Sequence, residues 1–319
     1  MMNSNRTIHA LNEIINNLTL YVPHFIITIG TLSSLLNLLT FTSKQLINNP
    51  CALYFSISSI FDLFYLYCST LIRLINDHYP YILPHRSSLF CKIRIYLSVT
   101  TPSIATFFIA LVAIDRCLKT SYSNKWRHLS HIKIARWISI YSLIFWATAY
   151  FHVPIYFELR IGNINNDIFL CLPKPGIYTS FVGIYFLVCN TILMYSIMLT
   201  ASIVTLVHIR NSRNRRQMRT LRVQKNKFRR IDRHLITIMF FQVGIGILLT
   251  GFRCIFLAYS FLTDDSYQIS IRMFFDRLTI LFYYLNFTKS FAVNTLTSPL
   301  FRDIFCQRLI TIWKTVIKH

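Results

Sequence analysis

Hydrophobic positions in this chain do not alternate with polar ones. They gather in seven long blocks, roughly residues 21–43, 51–74, 89–118, 132–157, 177–208, 231–261 and 268–297. A helix rises 1.5 Å per residue, so about 20 apolar residues cross a hydrocarbon layer. Three stretches, Ile95 to Ile114, Trp137 to Phe157 and Pro175 to Ile209, hold no Asp, Glu, Lys or Arg at all. The seventh block is the weakest, because Asp276, Arg277 and Lys289 interrupt it. A partly buried or re-entrant segment is the alternative there. The pattern predicts an all-α membrane protein, with lipid as the solvent of most of the chain.

Composition agrees. Of the 319 residues 54% are hydrophobic and 14% charged, and the mean hydropathy is +0.47. Soluble domains carry about 25% charge. The net charge of +22 alone would point to nucleic acid. Between apolar blocks, however, basic residues act as topology signals, and no nucleic-acid partner is expected. Arg116, Lys119, Lys125, Arg127, Lys133 and Arg136 follow block three, and the run from Arg210 to Arg233 follows block five. The opposite loops carry little, chiefly Arg160, Lys174 and Arg272. The positive-inside rule then puts the N-terminus outside and the C-terminus in the cytoplasm. This predicts an extracellular N-terminus over 1–20, a membrane bundle over 21–297 and an inner tail over 298–319. Two sequons, at Asn5 and Asn17, fall on the outer side as glycosylation candidates. Pro299 to Trp313 reads as a short amphipathic helix, with Leu300, Phe301, Ile304, Leu309, Ile312 and Trp313 toward lipid.

No HExxH, P-loop, GxSxG or paired CxxC motif occurs, so neither an enzyme nor a cofactor is expected. His128 and His131 share a loop but read as solvated polar residues rather than a metal site. Of the eight cysteines, Cys51, Cys68, Cys189 and Cys254 lie inside apolar blocks as buried thiols, whereas Cys91 and Cys171 stand at block edges. Asp62 sits in block two; a carboxylate in hydrocarbon is costly and should face the bundle interior.

Block three carries the most specific arrangement. Cys91 precedes Arg116 by 25 residues (116 − 91), about 37 Å of helix, and Asp115-Arg116-Cys117 closes the block. A juxtamembrane acid–base pair is the plainer reading. The spacing nonetheless resembles the rhodopsin-like (class A) G-protein-coupled receptors, in which a cysteine stands at this distance before an Asp/Glu-Arg-Tyr motif. Other positions fit the same register: Asn37, Asp62, Trp146, Pro154, and the Ser298-Pro299-Leu300-Phe301-Arg302 junction. The resemblance implies a seven-helix bundle with a short amphipathic eighth helix in the plasma membrane, coupled to a heterotrimeric G protein. It implies a Cys91–Cys171 disulfide and a switch built from Asp115, Arg116, Cys117 and Asp232, with Arg116 contacting Asp115 and Asp232 at rest. It also implies a polar bundle core of Asn37, Asp62, Asn286 and Ser290.

The departures are equally specific. No proline occurs between Pro175 and Pro299, block six reads Leu249-Thr250-Gly251-Phe252 where Cys-Trp-x-Pro is usual, and block seven reads Ser290-Phe291-Ala292-Val293-Asn294 where Asn-Pro-x-x-Tyr is usual. Gly244, Gly246 and Gly251 are expected to supply flexibility instead. Ala105 stands where a polar sodium partner is usual, which argues against sodium at Asp62. Ser98 replaces the amine-receptor carboxylate and Tyr284 the retinal lysine. From Asp232-Arg233-His234-Leu235 through Gln242-Val243 the chain resembles invertebrate orphan receptors grouped with neuropeptide receptors, which implies an extracellular ligand such as an Arg-Phe-amide peptide. Arg94, Ser98, Arg253 and Asp276 are the candidate ligand contacts, with snorkelling or internal pairing as the alternative for the charged ones. A degenerate, weakly signalling receptor-like protein and a transporter or channel are the competing functions.

Overall fold

The computed structural model describes residues 2–79, 87–121, 123–163, 168–216, 226–262 and 269–317. Among them, six helices are long and apolar enough to cross a membrane. Helix α1 spans Met2–Phe41, α2 Pro50–His78, α3 Ser88–Thr120, α4 Ile132–Tyr156 and α5 Ile177–Arg210. Helix α6, Asn226–Leu262, contains the sixth apolar stretch, Thr237–Leu257. Two shorter helices follow, α7 (Ile269–Leu285) and α8 (Ser290–Thr297), and α9 (Pro299–Ile317) closes the described chain.

Local chemistry sets the helix starts. Asn49 caps α2, its Oδ1 accepting from the Cys51 N–H, with Pro50 at the first helical position, where its fixed φ suits the helix. Ser87 caps α3 by accepting from the Phe90 N–H. Ser298 caps α9 through the Phe301 N–H. Between α7 and α8, residues 286–288 form a tight turn of i to i−3 bonds: Asn286 N–H to Tyr283 O, Phe287 to Tyr284 and Thr288 to Leu285. The single seventh block expected from sequence is therefore two helices.

Three further differences from expectation have physical causes. First, α1 is helical from Met2, about five turns before the apolar block begins. Helix geometry needs no apolar side chains, so polarity hid its start. Second, an antiparallel hairpin of β1 (Phe157–Asn163) and β2 (Ile168–Pro173) lies between α4 and α5, with Leu159 opposite Cys171. The all-α expectation omitted it. Third, Phe301 and Ile304 of α9 do not face outward: they are buried, and Phe301 packs on Phe41 and Phe291. Leu309 and Trp313 do point away from the bundle, and the side chains of Leu300 and Ile312 lie outside the described residues.

Helix α3 is central, packing against α2, α4, α5 and α6. Its N-terminal end is tied to the hairpin by the Cys91–Cys171 disulfide, with Cα atoms 5.7 Å apart. Trp146 of α4 is buried between Phe107 and Tyr150. The burial pattern is inverted relative to a soluble protein. Asn37, Thr40, Asp62, Arg116, Gln242 and Asn294 are buried, whereas Tyr141, Phe145, Ile184, Ile203, Leu248 and Ile255 are exposed. Such an apolar exterior is unfavourable in water and indifferent in hydrocarbon. The chain is a multi-pass helical membrane protein.

Candidate functional site

Three polar assemblies follow one another along α3. At its C-terminal end Arg116 is 1% exposed and Asp115 5%, with the Arg116 Nη2 donating to Asp115 Oδ2 at 2.8 Å. The same guanidinium donates to Asn49 Oδ1 at 3.1 Å and, through Nε, to the sulfur of Cys51. The Cys51 thiol donates to Asp115 Oδ2 at 3.1 Å, and Ser130 Oγ donates to Asp115 Oδ1 at 2.6 Å. A charge this buried persists only when paired and hydrogen-bonded. Here the partners come from the start of α2, from α3 itself and from the loop after it. Asn49 is both helix cap and arginine acceptor. Cys117 faces Thr205 of α5. Asp232, the expected second partner of Arg116, lies outside the described side chains, as does Asn5. Asn17 is exposed on α1. Cys51, Asn49 and Ser130 were not singled out as switch partners from the sequence.

Midway along the bundle lies the polar core. Asn37, Asp62, Asn286 and Ser290 are all buried within it. Asn294 Nδ2 donates to Asn37 Oδ1 at 2.8 Å, and Gln242 Nε2 donates to Asn294 Oδ1 at 3.1 Å and to the Ser290 carbonyl at 3.2 Å. This ties α1, α6 and α8 together. Asp62 faces the Ser290 hydroxyl and the Lys289 ammonium, and Lys289 Nζ also donates to Asn286 Oδ1. The turn at 286–288 brings Asn286 and Lys289 into the core. Lys289, which looked like an interruption of an apolar block, lines the same small cavity as Asp62. Gly246 of α6 makes its room: a Cβ there would lie 2.9 Å from Lys289 Nζ and 3.0 Å from the Tyr195 hydroxyl. Gly244 and Gly251 meet nothing within 4 Å, so of the three glycines only Gly246 has a packing role.

Toward the disulfide end of α3 opens a cavity of about 280 Å³ between α2, α3, α5, α6 and α7. Ser98 and Arg253 line it, together with Arg73, Asn190, Tyr283 and Tyr284. Arg253 Nη1 donates to Asp276 Oδ1 at 2.7 Å and to Thr279 at 3.2 Å. Arg73 lies 4.0 Å from the other oxygen of Asp276 and 3.7 Å from Asp77. Arg94 stands beside Arg73, Asp77 and Tyr284. The four candidate ligand contacts thus converge on one region, with Arg73 as the member the sequence reading missed. Two helices carry a π-helical turn at this level, Leu66–Leu71 in α2 and Val188–Leu193 in α5. Such turns widen a helix and re-aim its side chains. They bring Ser69, Asn190 and Thr191 to the cavity wall in helices that lack a kink proline there.

Below the cavity, Tyr150, Ser103 and Asn190 form a buried hydrogen-bonded triangle with edges of 2.6 to 2.9 Å. It joins α3, α4 and α5, so the cavity floor is held by side chains rather than by loops. The arrangement offers a concave site toward the disulfide, a polar core and an enclosed arginine along one helix. Neither the comparison with protein-family models nor that with curated proteins finds a match for this chain.

Proposed function

We propose that the chain is a seven-helix receptor of the rhodopsin-like, G-protein-coupled kind, with α7 and α8 together as the seventh crossing and α9 lying along the inner membrane surface. In this reading the N-terminus is extracellular, the C-terminus cytoplasmic, and the plasma membrane is the site of action. A ligand entering the outer cavity favours one of two bundle arrangements and shifts its population. The inner end then opens, releasing Arg116 to a heterotrimeric G protein.

One observation carries this reading. Helix α3 has a disulfide to the outer hairpin at one end and the enclosed Asp115–Arg116 pair at the other, with the cavity against its outer half. The Asp115 carboxylate is held by Arg116, Cys51 and Ser130 at once. Weakening that carboxylate should loosen the inner end without touching the cavity.

The test is guanine-nucleotide exchange on purified heterotrimers of each Gα class, with the full chain in lipid nanodiscs. Asp115→Asn should raise basal exchange several-fold on at least one class, by about 1 kcal/mol of released closed state, and Arg116→Ala should abolish exchange. Wild type and both variants inert on every class would reject the proposal.

A second reading, a receptor-like protein that binds but switches weakly, draws on one specific feature. Helix α6 runs as a single α-helix from Asn226 to Leu262, without the proline kink that usually serves as its hinge. In that case Asp115→Asn leaves exchange unchanged while ligand binding persists.

A further inference from the structure

The charges around the outer cavity are unequal. Among the described residues, Arg73, Arg94 and Arg253 face two carboxylates, Asp77 and Asp276. The two guanidiniums that line the cavity reach for the same carboxylate: Asp276 receives Arg253 at 2.7 Å and lies 4.0 Å from Arg73. They are therefore close enough for one planar anion to bridge them. Among the described residues, the lining contains these two arginines and no Asp or Glu. Its other polar groups, among them Ser98, Asn190 and the phenols of Tyr65, Tyr283 and Tyr284, can all donate hydrogen bonds. The rest of the wall is apolar, including Val99, Phe186, Leu257 and Ile280.

We infer that the cavity takes a small organic anion: one carboxylate, bridging Arg73 and Arg253, on an aromatic or hydrocarbon body of roughly a dozen heavy atoms, a size suited to a cavity near the small end of ligand pockets. The inference rests on the reading of this cavity as the receptor's ligand site. Guanidinium pairs carboxylate in planar, bidentate geometry, and the pairing strengthens where water is excluded. An Arg-Phe-amide peptide would bring a further cation and no carboxylate to a lining that already holds two cations. Asp276 is then the internal competitor that holds the two guanidiniums in the empty cavity, and a ligand carboxylate supplies the charge that the third arginine leaves unmatched.

The full chain in nanodiscs tests this with four probes, phenylbutyrate, phenylbutylamine, phenylbutanamide and the dipeptide Arg-Phe-amide, read by ligand-induced thermal shift and titration. Phenylbutyrate should bind about tenfold tighter than the amide, the increment of one charge-assisted contact, and the amine and dipeptide should bind more weakly still. Arg253→Gln and Arg73→Gln should each remove the preference of acid over amide. Asp276→Asn separates the site from mere structure: it should strengthen phenylbutyrate binding while lowering thermal stability, because the competitor is gone. The inference is overturned by no phenylbutyrate binding at millimolar concentration, by the amine or dipeptide binding as tightly as the acid, or by weaker acid binding in Asp276→Asn. Acid binding without nucleotide exchange keeps the anion site and rejects the receptor; exchange without an acid preference does the reverse.

Discussion

The two ends of α3 treat charge in opposite ways. At the Arg116 end the guanidinium is enclosed and held by Asp115, Asn49 and Cys51, fixed groups on neighbouring turns, with Ser130 completing the acid. At the Cys91 end the side chains of Arg73, Arg253 and Asp276 are 34%, 20% and 38% exposed, around an open cavity. Among the described residues three cations there share two anions. An enclosed, matched network resists change, because removing any member leaves a buried charge unpaired. A part-exposed, unmatched one is poised to accept a further charge. On the proposed reading the inner end is the lock and the outer end the port, and the bundle is described in its closed arrangement.

Lys289 offers the largest way to break that contrast, because it stands between the two ends. Lys289→Met leaves Asp62 buried without the ammonium it faces, which should cost about 3–5 kcal/mol of stability. Thermal unfolding in nanodiscs reads the loss, and the paired variant Lys289→Met with Asp62→Asn should recover most of it. Equal stability of wild type and Lys289→Met would mean that Asp62 is neutral or matched elsewhere. A smaller, sharper change is Asn49→Ala. It removes a helix cap and an acceptor of Arg116 together, worth about 0.5–2 kcal/mol. It should raise basal nucleotide exchange and leave phenylbutyrate binding in the outer cavity unchanged. A shift in probe affinity of the same size as the shift in exchange would show that the two ends are not independent in this way.

Six of the spans were readable because hydrocarbon demands long apolar runs, and apart from the start of α1 their ends fell within a few residues of the helices found. The Cys91–Cys171 bridge and the buried polar core of Asn37, Asn286 and Ser290 were readable through the resemblance, and the burial of Asp62 also through the cost of a carboxylate in lipid. What escaped were features decided by three-dimensional meeting. Lys289 looks the same in sequence whether it snorkels to a headgroup or shares a cavity with Asp62; the turn at 286–288 decides it, and no proline announces that turn. Arg73 was not singled out from the sequence, because only the approach of α7 gives it Asp276. Cys51 was placed correctly as a buried thiol, but its contact with Arg116 and Asp115 depends on how α2 packs on α3. The outward face assigned to Phe301 and Ile304 failed because α9 docks on Phe41 and Phe291, and a helical repeat cannot tell lipid from protein as the apolar partner. The hairpin of β1 and β2 escaped because a seven-residue strand is shorter than the window that finds a span.

The most direct test of the account is the sidedness of the two ends of the chain. Epitope tags placed before Met1 and after His319 should report opposite faces in intact cells, with the first reachable from outside and the second only after permeabilisation. Both tags reachable from the same face would mean an even number of crossings, and the bundle could not carry a signal from the outer cavity to Arg116.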